Sequence, residues 1–187
     1  MKKIFMSLLL LGCCLEAWCQ HEPYPQVLQA DSTWTREVFP FPIHFAPELK
    51  YEGYEEAWFP PGWIQPENDA FWSYVFAWKI EKDIVLNDSI LEENLKHYFD
   101  GLMNVRNKRI DFEIPKTTVH LKNANIGYRG KISLYDAFAT QQVLELNVSI
   151  ELVKKTSAQG TIMIFRFSPK PSHHYVWGKL RELTVKS

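Results

Sequence analysis

Prolines are dense in one part of the chain, and they limit what that part can fold into. Six of the eleven prolines, together with 14 of the Phe, Trp and Tyr residues, lie within residues 34–78. Proline has a fixed φ and no N–H donor, so it neither continues a helix nor pairs in the middle of a sheet. We therefore predict extended chain and turns for this segment, with a sharp turn at residues 60–62.

The next two segments differ in the spacing of their apolar side chains. Aromatic side chains occupy every second position within residues 71–80, which is the period of a strand. Residues 89–105 instead carry one apolar stripe at helical spacing, formed by Leu91, Leu95, Tyr98, Phe99 and Leu102. Ser89 and Glu92 have the spacing of a capping box, which predicts the start of this helix.

The rest of the chain favours hairpins. Further strands are predicted over residues 117–122, 126–138, 143–153 and 161–167, with a turn at residues 154–160. A short C-terminal helix is expected from Ser172 onwards. Consecutive hairpins with separate helices predict an α+β fold. We expect an antiparallel sheet of about four to five strands, with one long helix packed on it and a short C-terminal helix.

The N-terminal residues have the pattern of an export signal. Residues 1–19 combine two early lysines with an apolar run, and Ala17 and Cys19 are the small residues expected before a cleavage at Gln20. The run ending at Cys13 also resembles a bacterial lipobox, in which that cysteine would be acylated. We expect an exported protein, periplasmic or extracellular, that attaches to a membrane only if it is lipidated at Cys13.

Composition bounds the organisation and the partners. We predict a signal peptide over residues 1–19, a mobile lead-in over residues 20–33, and a single α+β domain over residues 34–187. A net charge of -1 argues against nucleic acid as a partner. The sequence has eight glycines, no phosphate-binding loop and no His or Cys pattern typical of a metal site, so no cofactor and no metal are predicted.

Five short motifs lie within residues 37–102. They are residues 45–48 (FAPE), 53–56 (GYEE), 59–63 (FPPGW), 72–78 (WSYVFAW) and 98–102 (YFDGL). Together they resemble an uncharacterised family of secreted bacterial proteins. The resemblance implies a bacterial, exported origin, and it brings no activity and no catalytic residue with it.

The aromatic segment is the first candidate for a site. Tyr54, Trp58, Trp63 and Trp72 could form a stacking platform for a sugar ring or another flat ligand. Large rigid rings suit this role because they are ordered at little entropic cost and keep a polar edge. The alternative interpretation is that these aromatic side chains simply fill the core.

Neighbouring carboxylates offer a second candidate. Glu48, Glu55 and Glu56, with His44 nearby, could supply a general acid and a base or nucleophile. The alternative is a solvated acidic loop, because glutamate is ordinarily exposed.

These features lead to three hypotheses. The first is an exported, non-catalytic binding or accessory domain that holds a small molecule, a glycan or a cell-envelope protein against its aromatic segment. The second is an exported hydrolase that uses a glutamate pair, with glycans as one candidate class of substrate. The third is a purely structural envelope protein.

Overall fold

A seven-stranded antiparallel sheet dominates the computed structural model, which describes residues 24–109, 111–153 and 160–186. Its elements are β1 (Leu28–Gln29), β2 (Thr35–Pro40), β3 (Gly53–Phe59), β4 (Tyr74–Ile80), α1 (Asp88–Arg106), β5 (Thr118–Asn123), β6 (Tyr128–Tyr135), β7 (Val143–Val153), β8 (Thr161–Ser168), α2 (Val176–Glu182) and β9 (Thr184–Val185). The predicted signal peptide and most of the predicted turn at residues 154–160 lie outside the described residues.

The strand order divides the sheet into two meanders. The order is β2-β3-β4-β8-β7-β6-β5, and β1 pairs separately with β9. Helix α1 carries the chain from β4 to the far edge at β5, after which β5 to β8 return until β8 pairs with β4. The predicted α+β class, the antiparallel sheet, the long helix and the short C-terminal helix are all confirmed.

The predicted number of strands is wrong, because the proline-rich segment itself contains two strands. Pro40 is the last residue of β2, and Pro60 comes directly after β3, so no proline lies in the interior of either strand. A proline is compatible with a sheet at the end of a strand, where no ladder hydrogen bond is lost.

The start of α1 also differs from the prediction. Asn87 is the N-cap, and its side-chain oxygen accepts a hydrogen bond from the N–H of Ile90 at 2.9 Å. The predicted capping box is therefore wrong. Ser89 lies inside the helix, and the Glu92 carboxylate accepts a hydrogen bond from the N–H of Leu121 at 2.6 Å, which ties α1 to β5.

One face of the sheet, here called the α1 face, packs against α1. Its centre is an aromatic seam across β4 and β8, where Phe76 lies 4.6 Å from Phe165 and Tyr74 lies 5.0 Å from Phe167 between ring centroids. Such pairs add about 0.5–1.5 kcal/mol each beyond the area that they bury. The buried residues of α1 are Leu91, Leu95, Tyr98, Phe99 and Met103.

The opposite face, here called the α2 face, holds a second core. Val27 and Leu28 are buried there together with Trp177 and Leu180 of α2. Their burial was not expected from the polar, proline-containing sequence of the predicted lead-in. Glu56 of β3 holds this segment in place, because its carboxylate accepts hydrogen bonds from the N–H groups of Val27 and Leu28.

Among the described residues, neither α1 nor α2 has the length and apolar character of a membrane-spanning helix.

Candidate functional site

An aromatic cavity of about 430 Å³ lies between the C-terminal half of α1 and the β2–β4 end of the sheet. The aromatic side chains on its wall are Phe39, Phe45, Phe59, Trp63, Trp72, Tyr74, Tyr98 and Phe138. Glu37, His44 and Arg106 are exposed and supply polar groups at its rim. Ile64 and Val105 also line it and are 46% and 57% exposed, so the cavity has an apolar mouth.

Trp63 stands at the centre of the cavity wall. Its ring centroid lies 4.5 Å from that of Phe59, 5.6 Å from that of Phe138 and 6.3 Å from that of Trp72. Trp63 is half-buried, whereas Trp72 is 1% exposed. The rings therefore support one another, and Trp63 keeps part of its surface exposed whereas Trp72 does not.

The backbone at Trp72 is strained. Its φ is 49°, in the left-handed region that bulky residues rarely adopt, and its N–H donates to the carbonyl of Trp63 at 2.7 Å. Among the described residues, the Trp72 Nε1 and the Tyr74 Oη are buried without a hydrogen-bond partner. Each such group costs about 1–3 kcal/mol. Backbone strain and buried donors without hydrogen-bond partners thus occur together at the cavity wall, and strained backbone is common at functional sites.

A buried carboxyl lies next to this wall. Glu55 is fully buried on the α1 face and accepts hydrogen bonds from Trp78 Nε1 at 2.7 Å and from the Tyr98 hydroxyl at 2.8 Å. Burial raises the pKa of Glu55 to about 8, against the lowering effect of the two hydrogen bonds, and the charge of Glu37 raises it further. Tyr98 lines the cavity, so Glu55 is bonded directly to a residue of the cavity wall.

The sheet separates the four residues predicted to bind a ligand. Trp63 and Trp72 line the aromatic cavity, but Tyr54 and Trp58 belong to the core of the α2 face. The Tyr54 hydroxyl donates to the carbonyl of Pro25, and Trp58 Nε1 donates to the carboxylate of Glu56. Both side chains therefore anchor the N-terminal segment and the second core. They do not face the cavity.

The predicted carboxylates do not form a pair. Glu55 and Glu56 are neighbours in β3, so their side chains point to opposite faces, and both are fully buried. The solvated loop considered as the alternative is wrong for these two residues. Glu48 is exposed in the loop after β2, and of the predicted catalytic group only His44 lines the cavity.

Several cavity residues lie outside the aromatic segment, and nothing in the sequence predicted that they would contact it. Tyr98 was visible as a member of the helical stripe, but nothing indicated that it lines a cavity. Phe138 lies in the turn after β6, and nothing in the sequence brings it to Trp63. Its position is fixed by Asp136, which is buried and whose carboxylate accepts the N–H groups of Phe138 and Thr140 at 2.9 and 2.8 Å.

Comparison with protein-family models, with curated proteins and with solved structures gives no match in any of the three. Among residues 24–109, 111–153 and 160–186, no group of three or more His, Cys, Asp or Glu residues is placed to hold a metal ion.

Proposed function

We propose that this chain is an exported, non-catalytic binding protein that holds a small, flat, largely apolar molecule in its aromatic cavity. One observation carries the proposal: a cavity of about 430 Å³ whose wall consists mainly of aromatic side chains. Small-molecule sites are concave, mostly apolar and roughly 300–1,000 Å³ in volume.

The polar groups of the cavity narrow the ligand class. A flat apolar body can lie against Trp63 and Phe59. The indole N–H of Trp72 and the hydroxyl of Tyr74 are unpartnered but fully buried, so a ligand's acceptor would have to displace part of the wall to reach them. A polar end would remain at the rim, beside Arg106, whose guanidinium carbon lies 4.6 Å from the Phe138 ring centroid.

The geometry favours binding over hydrolysis by a glutamate pair. Glycosidases with two carboxylates require both groups on the same side of one substrate cleft, at a fixed separation. Glu55 and Glu56 face opposite sides of the sheet, and Glu56 is occupied by the backbone of Val27 and Leu28. We therefore assign both glutamates to the scaffold.

Binding of N-phenyl-1-naphthylamine, a neutral, flat and apolar fluorescent probe, tests the proposal. The wild-type protein should bind it with a rise in probe fluorescence. Trp63→Ala should weaken binding about tenfold, since it removes the central ring contacts of the wall. Trp34→Ala is the matched control, because Trp34 is also half-buried but packs on the α2 face.

A second variant guards against effects on folding. Leu102→Trp adds an indole to the α1 side of the cavity and should abolish probe binding while the urea unfolding transition remains cooperative. Absence of probe binding to the wild type, or equal losses in Trp63→Ala and Trp34→Ala, would contradict the proposal. A purely structural role predicts that outcome.

A further inference from the structure

A second concave surface lies on the α2 face, between α2 and strands β6, β7 and β8, with a volume of about 640 Å³. Its lining is mostly polar and includes Arg129, Ser149, Glu151, Arg166, Arg181 and Thr184. We infer that this groove binds a small polar organic molecule that carries a phosphate or sulfate group. It is on the opposite side of the sheet from the aromatic cavity, so the inference does not rest on the proposed function.

The strand register places cationic side chains in one row. Arg129 of β6 is directly opposite Ser149 of β7, and Ser149 is directly opposite Arg166 of β8. Directly opposite residues point to the same face, with Cβ atoms about 4.5–5.5 Å apart. The Ser149 hydroxyl therefore lies between two arginines. Lys122 of β5 is opposite Arg129 and extends the row.

The charges of the groove are unbalanced. Arg181, in the last turn of α2, adds a third guanidinium group, and Glu151 is the single carboxylate among the lining residues. That carboxylate is paired with Arg166 at 2.9 Å. In the described parts of the chain, neither Arg129 nor Arg181 has an ion-pair partner. Like charges directly opposite each other, such as Lys122 and Arg129, destabilise a sheet, and a bound anion would relieve this repulsion.

Arg166 makes the groove rigid. It is 5% exposed, and its guanidinium donates to the carbonyls of Leu180 and Leu183, each at 2.9 Å. These bonds fix the C-terminal end of α2, which carries Arg181. The Arg166 guanidinium and the backbone that carries Arg181 are thus held in place before a ligand arrives, and this lowers the entropic cost of binding.

The groove chemistry selects a phosphate or sulfate ester. Guanidinium groups present planar pairs of donors that match these oxyanions, and the hydroxyls of Ser149, Ser172 and Thr184 add further donors. The volume exceeds that of an isolated ion, so space remains for a polar body. Trp177 also lines the groove but is 4% exposed, and its indole N–H donates to the carbonyl of Lys170, which leaves little surface for stacking.

Isothermal titration calorimetry with glucose 6-phosphate tests this inference, with glucose as the uncharged control. Glucose 6-phosphate should bind and glucose should not. Arg129→Gln and Arg181→Gln should each raise the Kd about tenfold, because each removes a charge-assisted hydrogen bond. Arg109→Gln is the matched control, since Arg109 is exposed and follows α1 on the other face. Binding should weaken strongly at an ionic strength of about 1 M.

Three outcomes would overturn the inference. They are an absence of binding by glucose 6-phosphate, equal affinities of the two groove variants and the wild type, and binding only to vesicles that contain phosphatidylglycerol. The last outcome would indicate a membrane surface as the partner. Binding of N-phenyl-1-naphthylamine should be unaffected in both groove variants, so the two proposals can fail separately.

Discussion

Replacement of Glu55 by Gln should remove a large part of the pH dependence of folding. Burial raises the pKa of Glu55 from 4.5 to about 8 in the folded protein. Between these values the unfolded chain releases the proton and the folded chain keeps it, so stability falls as pH rises, by about 1.4 kcal/mol per pH unit. The contribution is fully present below about pH 4.5 and is lost above about pH 8. The loss over the whole interval is on the order of 5 kcal/mol.

Glutamine is suited to this test because it has the shape of the protonated acid. Its side-chain oxygen can accept from Trp78 Nε1, and its amide group can donate to the Tyr98 hydroxyl, so both contacts of Glu55 are preserved. The variant cannot ionise, and it also loses the repulsion from Glu37. Near pH 5 the two proteins should be about equally stable. Near pH 8 the variant should be more stable by several kcal/mol.

Urea unfolding at a series of pH values from about 5 to about 8 measures this difference as a change in slope. Glu48→Gln is the matched control, because Glu48 is exposed and its replacement should leave the slope as in the wild type. Equal slopes for Glu55→Gln and the wild type would refute the reasoning, since Glu55 would then ionise in the folded core at its ordinary pKa.

Two further pairs of variants test the scaffold in the same unfolding assay. Gly101→Ala should lower the free energy of unfolding by about 2 kcal/mol, because the new Cβ would lie 1.7 Å from the carbonyl oxygen of Phe45. Gly178→Ala should instead raise it by about 0.5–1 kcal/mol, because nothing lies within 4 Å of the new Cβ. Equal effects would rule out the close approach of α1 to the loop after β2. Asn87→Ala should lower the free energy of unfolding by about 1 kcal/mol and Ser89→Ala by less than about 0.5 kcal/mol, because Asn87 is the N-cap. A larger loss in Ser89→Ala than in Asn87→Ala would mean that Ser89 caps the helix, as the sequence predicts.

The elements with an uninterrupted period could be predicted from the sequence. The bounds of β7 agree with the prediction over residues 143–153, and α1 extends one residue beyond its predicted range at each end. Strand β3 was missed because Glu55 and Glu56 interrupt its alternation. Both faces of β3 are covered, so Glu55 is buried against Trp78 and Tyr98, and Glu56 is buried against the backbone of Val27 and Leu28. Strand propensity alone cannot predict that a polar side chain is buried with hydrogen-bond partners from other parts of the chain.

The candidate site could be predicted only in part. Two of the four predicted ligand-binding residues, Trp63 and Trp72, line the aromatic cavity. Tyr54 and Trp58 point to the other face, and a prediction of extended chain and turns without a strand at β3 gives no face to either side chain. Phe138 reaches Trp63 only through the fold, at a ring distance of 5.6 Å. A site assembled from a loop, a helix and a distant turn has no local signature in the chain.

The aromatic seam between β4 and β8 has a consequence for folding kinetics. Within each meander every strand pairs with the next one in the chain, but β4 and β8 are separated by α1 and three other strands. Their pairing is non-local, so a long loop must close before any contact is gained. The contacts between Phe76 and Phe165, and between Tyr74 and Phe167, offset that entropy once the two meanders pair, and we expect this pairing to form in the transition state for folding. Mutations in the seam should therefore slow folding, whereas mutations at the outer edges of the meanders should chiefly speed unfolding.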